Sequence, residues 1–120
     1  MVEVIATDEF LGWFEGLGRL DKEAVERTVK LLEMAGVTLG FPHASAIKGS
    51  TDALRELRVK SSSHVLRIIY AFDPRRDAVL IIGGDKTGDG RFYERILPWA
   101  ERIWKTYLAE QKAGEHDEEN

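Results

Sequence analysis

Residues 54–86 read L-R-E-L-R-V-K (54–60), S-S-S-H (61–64), V-L-R-I-I-Y-A-F (65–72), D-P-R-R-D (73–77) and A-V-L-I-I-G-G-D-K (78–86). Three apolar, β-branched runs are separated by two short polar breaks, which is the pattern of an antiparallel three-stranded meander. The second break has its own mechanism. Pro74 presets φ for the second position of a type I turn, and the Asp73 carboxylate can hydrogen-bond backbone ahead of it. Side chains alternate along a strand, so Leu57, Val59, Leu66, Ile68, Tyr70 and Phe72 share one face. Glu56 and Arg58 fall on the other, as do Val65, Arg67, Ile69 and Ala71 on the next strand. Arg55, Glu56, Arg58, Lys60, Arg67 and Lys86 are many charges for a half-buried sheet. The expectation is one face that closes a core and a second face, or its end, that forms a basic site.

Outward from this block the chain reads as helices. Thr7 and Asp8 are N-cap residues, and Phe10, Trp13, Phe14 and Leu17 follow on one helical face. Asp21 is the expected cap of a second helix, with Val25, Val29, Leu32 and Ala35 at helical spacing and Gly36 as its C-terminal stop. Residues 37–53, with Gly40, Pro42, Gly49 and Ser50, read as a long loop carrying His43 and Lys48. Beyond Thr87-Gly88-Asp89-Gly90, a broad stripe of Phe92, Tyr93, Ile96, Leu97, Ala100, Ile103, Trp104, Tyr107 and Leu108 predicts a last helix. Pro98 should kink it or mark a restart.

The predicted fold is α+β, in the order β-α-α-β-β-β-α, with an antiparallel sheet packed on the helices. Strands are expected at 2–6, 54–60, 65–72 and 78–84, and helices at 8–16, 21–35 and 91–111. The first strand joins a sheet edge. Residues 1–113 form a single domain, and the acidic residues 114–120 form a disordered tail.

Composition narrows the function. A chain of 120 residues, 43% hydrophobic and 32% charged, is an ordinary soluble domain able to fold without staples. It has no cysteine, so thiolate metal sites and disulfides are excluded. Three histidines without H-x-x-H spacing point away from a metal site, and no cofactor is expected. Gly83-Gly84 is not a phosphate loop, because no G-K-[ST] follows it. The first residues do not form a signal peptide or a membrane span, which fits a cytoplasmic protein. The net charge of −4 opposes a simple nucleic-acid binder, but the charge is unevenly spread. Residues 41–95 hold 10 basic and 7 acidic side chains, whereas 1–40 hold 4 and 8 and 96–120 hold 3 and 6. The sheet region is therefore positive between acidic flanks, as suits an anionic ligand.

The runs I-K-G-S-T-D-A-L-R-E-L-R-V (47–59), V-L-R-I-I-Y-A-F (65–72) and L-I-I-G-G-D-K-T-G-D-G-R-F-Y-E-R-I (80–96), in this order, resemble the RelE/ParE toxin superfamily and its HigB-like, phage-derived branch. The resemblance runs from Val4 to about Gln111. It implies a RelE-like fold and the toxin of a type II toxin–antitoxin system. Such a toxin is usually a metal-independent, ribosome-dependent mRNA endonuclease that inhibits translation. A ParE-like gyrase poison, or a non-enzymatic binding module of the same fold, is the alternative. The implied partners are the ribosome, mRNA and a cognate antitoxin of helix-turn-helix type encoded beside the toxin. No membrane partner is implied.

The resemblance also assigns residues. Arg58, with Lys60 beside it, matches a strand position that is basic in RelE-like nucleases, and Arg67 matches the arginine of an R-x-x-Y pattern. Lys86 stands where RelE has an arginine, and Tyr93 near its tyrosine after a slightly longer turn. Glu56 stands where RelE has a basic residue. Candidate catalytic residues are thus Arg58, Arg67, Lys86, Tyr93 and Glu56, with Arg55, Lys60, Lys48 and Arg91 as candidate RNA-binding cations. Arginine suits the pentavalent phosphorane, since its planar fork matches phosphate oxygens and keeps its charge. Glu56, Lys86, His64 and Tyr93 are the groups available for proton transfer. Tyr93 could instead stack on a base or belong to the core stripe, and Glu56 with Arg58 could be a solvated surface pair.

Overall fold

In the computed structural model the element order is β1 (Val4–Ala6), α1 (Asp8–Glu15), α2 (Arg19–Ala35), β2 (Ala44–Ala46), β3 (Arg55–Lys60), β4 (Val65–Phe72), β5 (Ala78–Asp85) and α3 (Phe92–Glu119). The structure describes residues 1–119, with side chains for residues 1–114. The acidic tail expected at 114–120 therefore lies almost wholly outside the described side chains. Among the described residues, no helix is long and apolar enough to cross a membrane.

The meander forms as the sequence predicts. β3 and β4 pair antiparallel with Arg58 opposite Arg67, and β4 and β5 pair antiparallel in turn. The turn between them closes as expected: Arg76 N–H donates to the Asp73 carbonyl at 2.8 Å, and Asp77 N–H to the Asp73 carboxylate at 2.9 Å. That carboxylate, buried, also accepts from the Tyr107 hydroxyl and the Gln111 amide of α3. The turn is thereby tied to the last helix.

Several expectations are corrected. The sheet has five strands in the order β1-β5-β4-β3-β2, and it is mixed, because β1 runs parallel to β5. The long intervening chain supplies the crossover that a parallel neighbour needs. Within the expected 37–53 loop, β2 adds a short antiparallel edge to β3. Its three residues, Ala-Ser-Ala, carry almost no strand signal. Helix α2 starts at Arg19 behind Gly18, so Asp21 is not its cap. Asp21 instead pairs with His64 Nδ1 at 2.8 Å, fastening the β3–β4 turn to α2. Helix α3 runs through Pro98 without ending and extends past residue 111.

The largest correction concerns the layers. Helices α1 and α2 cover the expected face, packing Phe10, Ala24, Val25 and Leu32 on Leu57, Val59, Leu66, Ile68 and Tyr70. Helix α3 lies on the opposite face, where Phe92, Ile96, Ala100, Ile103 and Trp104 pack on Ile69, Ala71, Val79, Ile81 and Ile82. A register shift opposite Ile69 and Tyr70 lets both Ile81 and Ile82 point toward α3. The two glycines of β5 let both layers close. A Cβ on Gly83 would stand 2.2 Å from the Trp13 ring, and one on Gly84 2.7 Å from Phe92. Thr7 caps α1 by accepting from Phe10 N–H at 3.0 Å while its hydroxyl donates to the Ile81 carbonyl at 2.7 Å. One side chain thus starts the helix and fixes it to the sheet.

Candidate functional site

The site lies on the α3 side of the sheet, where β3 and β4 run out from beneath the helix. Arg58 and Arg67 are directly opposed across the two strands on the same face. Two like charges in that position repel. Glu56, one pleat along β3, resolves the conflict. Its Oε1 lies 3.4 Å from Arg58 Nε and 3.5 Å from Arg67 Nε, and accepts the Tyr93 hydroxyl at 3.1 Å. Glu56 is only 5% exposed, so the reading as a solvated surface pair does not hold. A buried carboxylate persists when it is paired and hydrogen-bonded, and this one has two cations and a phenol. The three charges sum to one positive charge, facing outward.

The two arginines are held differently. The Arg58 side chain, 30% exposed, reaches the Ser45 hydroxyl on β2 at 2.9 Å and the Pro42 carbonyl at 3.4 Å. The short β2 strand thus carries the outer wall of the site. Arg67, at 14%, donates to the Leu66 carbonyl at 3.1 Å, while its Nε makes no hydrogen bond among the described residues. Charge alone links that nitrogen to Glu56.

Tyr93, on the first turn of α3, satisfies two readings at once. Its ring packs edge-on against Phe92 at 5.2 Å, at the margin of the α3 core, and its hydroxyl enters the site. Burial raises the phenol above its ordinary value, and the bond to Glu56 adds to the rise while Arg67 partly opposes it. Tyr93 is therefore a protonated donor at neutral pH. Lys86, just past β5, places its ammonium 6.0 Å from the Tyr93 ring centre, within cation–π range.

The structure brings together Glu56, Arg58, Arg67, Tyr93 and Lys86. Lys60, exposed at the end of β3, shares their face by alternation. Arg55 does not. It points to the α1–α2 face, where its Nε donates to the Tyr70 hydroxyl at 3.1 Å and its Nη2 to the Leu39 carbonyl at 3.2 Å. Lys48 and Arg91 are exposed on flanking loops. His64, bound to Asp21 of α2 on the far face, is removed from the cluster.

Two residues escaped the sequence reading. Ser45 had no signal, since β2 itself was hidden. Phe41 sits in the loop before β2, 81% exposed, with its ring centre 4.8 Å from the Arg58 guanidinium carbon. An aromatic beside a proline in a polar loop was the available clue.

Comparison with known proteins gives a consistent picture. Residues 12–105 match the family described as phage derived protein Gp49-like (DUF891). Two proteins of Mycobacterium tuberculosis that carry the toxin names HigB3 and HigB2 are similar in sequence. The first is 38% identical over 113 residues, covering 92% of this chain and 97% of that protein. The second is 33% identical over 101 residues, covering 82% of this chain and 50% of that longer protein. The fold is similar to that of the E. coli toxin RelE, solved as a double arginine-to-alanine mutant in the free state. The TM-score is 0.57 at 13% identity, covering 81% of this chain and 96% of RelE.

Proposed function

The chain belongs to the phage-derived Gp49-like family, and from that premise and the site geometry we propose that it is the toxin of a toxin–antitoxin pair, acting as a ribosome-dependent mRNA endonuclease in the cytoplasm. The observation that carries the reading is the cluster of Arg58, Arg67 and Tyr93 around one buried carboxylate. It presents two guanidinium groups, one net positive charge and a protonated phenol on a half-buried surface.

RNA cleavage of this type joins the 2′-oxygen to phosphorus and breaks the bond from phosphorus to the 5′-oxygen. One proton leaves the 2′-hydroxyl for solvent water, and another reaches the departing 5′-oxygen from Tyr93, which regains it from solvent. Arg67 and Arg58 serve the phosphorane, since fixed cations aimed at developing charge give the largest single contribution in many enzymes. Tyr93 serves as donor toward the departing oxygen, with Lys86 stabilising negative charge beside it. Glu56 is a positioning residue. Its oxygen is occupied by the groups it holds, and it aligns both guanidinium groups toward one point.

The test is cleavage of translated mRNA on purified ribosomes, read by primer extension. The expected result is cuts within the translated region that require the ribosome. A second reading, a gyrase poison or binding module, draws on the engagement of Arg58 by Ser45, the Pro42 carbonyl and Glu56. DNA breaks in the absence of mRNA cuts would establish it in place of the first.

The proposed inhibitor is a helix-turn-helix antitoxin from the adjacent reading frame, using an acidic or amphipathic segment to cover the cationic face. Arg58→Glu should weaken that complex. A complex indifferent to the change, with the site left open, contradicts direct occlusion.

A further inference from the structure

We infer that Phe41 is a stacking platform for an unpaired nucleobase of the RNA, next to the phosphate held by Arg58. The inference rests on the nuclease reading and deepens it by adding a substrate subsite.

The Phe41 ring is 81% exposed, more than any other large hydrophobic side chain but Met1 among the described residues. Phe41 does not owe its exposure to a slack loop, because both sides of it are pinned. The Leu39 carbonyl accepts from Arg55 and the Pro42 carbonyl from Arg58. His43 and Ala44 N–H both donate to the Gly40 carbonyl at 3.1 and 3.0 Å, and Arg58 N–H donates to the His43 carbonyl at 2.8 Å. Two arginines of one strand, pointing to opposite faces, thus hold the ends of a single turn and present its aromatic outward.

The position of the ring is as informative as its exposure. The Arg58 guanidinium lies over the Phe41 ring, and the same side chain reaches Glu56, which joins Arg67 and Tyr93. Phe41, Arg58, Glu56, Tyr93 and Lys86 therefore form one continuous track across the sheet, with an aromatic next to a cation at each end. Alternating cation and aromatic surface is how single-stranded nucleic acid is held, the cations on phosphates and the rings on bases. A protein ligand could also use an exposed phenylalanine. The cationic track beside the ring favours RNA, and docking of a protein becomes an outcome of the test.

Cleavage of programmed mRNA is measured for wild type, Phe41→Leu and Phe41→Trp, over messages that differ in the bases flanking the cut. Circular dichroism checks the fold. Phe41→Leu should raise KM about tenfold, the loss of one stacked base, with kcat unchanged and with a weaker dependence of KM on the base at one flanking position. Phe41→Trp should restore both KM and preference. A leucine variant with wild-type KM and wild-type base preference overturns the stacking role and leaves the nuclease reading intact. So does that result accompanied by weakened antitoxin binding, which assigns Phe41 to protein docking. Absence of ribosome-dependent cleavage by the wild type overturns the nuclease reading itself, and the stacking role with it.

Discussion

The two faces of the sheet at strand β3 differ within a single pleat. On the α1–α2 face, Leu57 and Val59 are fully covered, and Arg55 is folded down onto the Tyr70 hydroxyl and a loop carbonyl. On the α3 face, Glu56 and Arg58 meet Arg67, and the helix reaches them with the hydroxyl of Tyr93. Helix α2 packs over β3, whereas α3 packs chiefly over β5. A site arises where one layer ends short of the sheet's edge. The uncovered strands are rigid because the opposite face is fully packed, and their polar groups are exposed enough to meet a ligand. Cations that are equivalent by sequence position are therefore not equivalent physically. Arg55 is engaged by the fold, whereas Arg58 and Arg67 converge on Glu56 at the candidate site.

The comparison is sharpened most by Arg67→Ala. If Arg67 holds the transition-state charge, its loss should cost about 3–4 kcal/mol, a few hundredfold in cleavage rate. Stability should change little, since Glu56 remains paired with Arg58. Arg67→Lys should recover only part of the rate, because an ammonium lacks the planar fork. A folded Arg67→Ala protein that cuts at the wild-type rate would break the contrast and shift the chemistry toward Arg58, Lys86 and Tyr93.

Leu57→Ala probes the covered face one residue from Glu56. It should lower unfolding stability by about 3 kcal/mol through lost burial and a residual cavity, measured by urea denaturation. The activity of the molecules that stay folded should be near normal. Loss of activity with unchanged stability would show the two faces to be coupled.

Glu56→Gln should affect both quantities. It leaves Arg58 and Arg67 opposed with no intervening charge, and a cost of about 2 kcal/mol in stability is expected from the lost charge-assisted contacts. Cleavage should fall as well, because the guanidinium groups lose their alignment. Wild-type stability in this variant would mean that the carboxylate organises nothing.

The smallest expected effect lies at alkaline pH. The folded-state value of Tyr93 is raised, first by burial and then by Glu56. Its contribution to stability is therefore complete below the ordinary tyrosine value of 10.0, where both folded and unfolded chains keep the proton. It is lost as the pH rises through the folded value, because the unfolded chain has by then released its proton. Tyr93→Phe should show a shallower fall in denaturation midpoint above about pH 10 than the wild type. The fall that remains includes Tyr107, which is raised by its own burial and by Asp73. Identical alkaline profiles for the two proteins would remove Tyr93 from the buried network.

Much of this was legible in the chain. The meander could be read because period-two alternation and the Asp73–Asp77 turn are local signals, and the cap at Thr7 and the stop at Gly36 are local as well. Alternation also put Glu56, Arg58 and Arg67 on one face without coordinates. The segment Ala44–Ala46 could not be read as a strand, since its pairing with β3 is supplied by the partner and not by its own residues. The parallel seat of β1 likewise depends on contacts far along the chain.

The sequence by itself determined the element order, the antiparallel block, the face that α1 and α2 bury and the residue types of the site, because each follows from periodicity and local chemistry. Only the tertiary structure decided that α3 crosses to the other face, that Glu56 is buried between two arginines, and that Arg55 points away from that pair while Phe41 stands beside Arg58. Those outcomes depend on which elements stop short of which others. That is a matter of packing between distant parts of the chain, which no local pattern encodes.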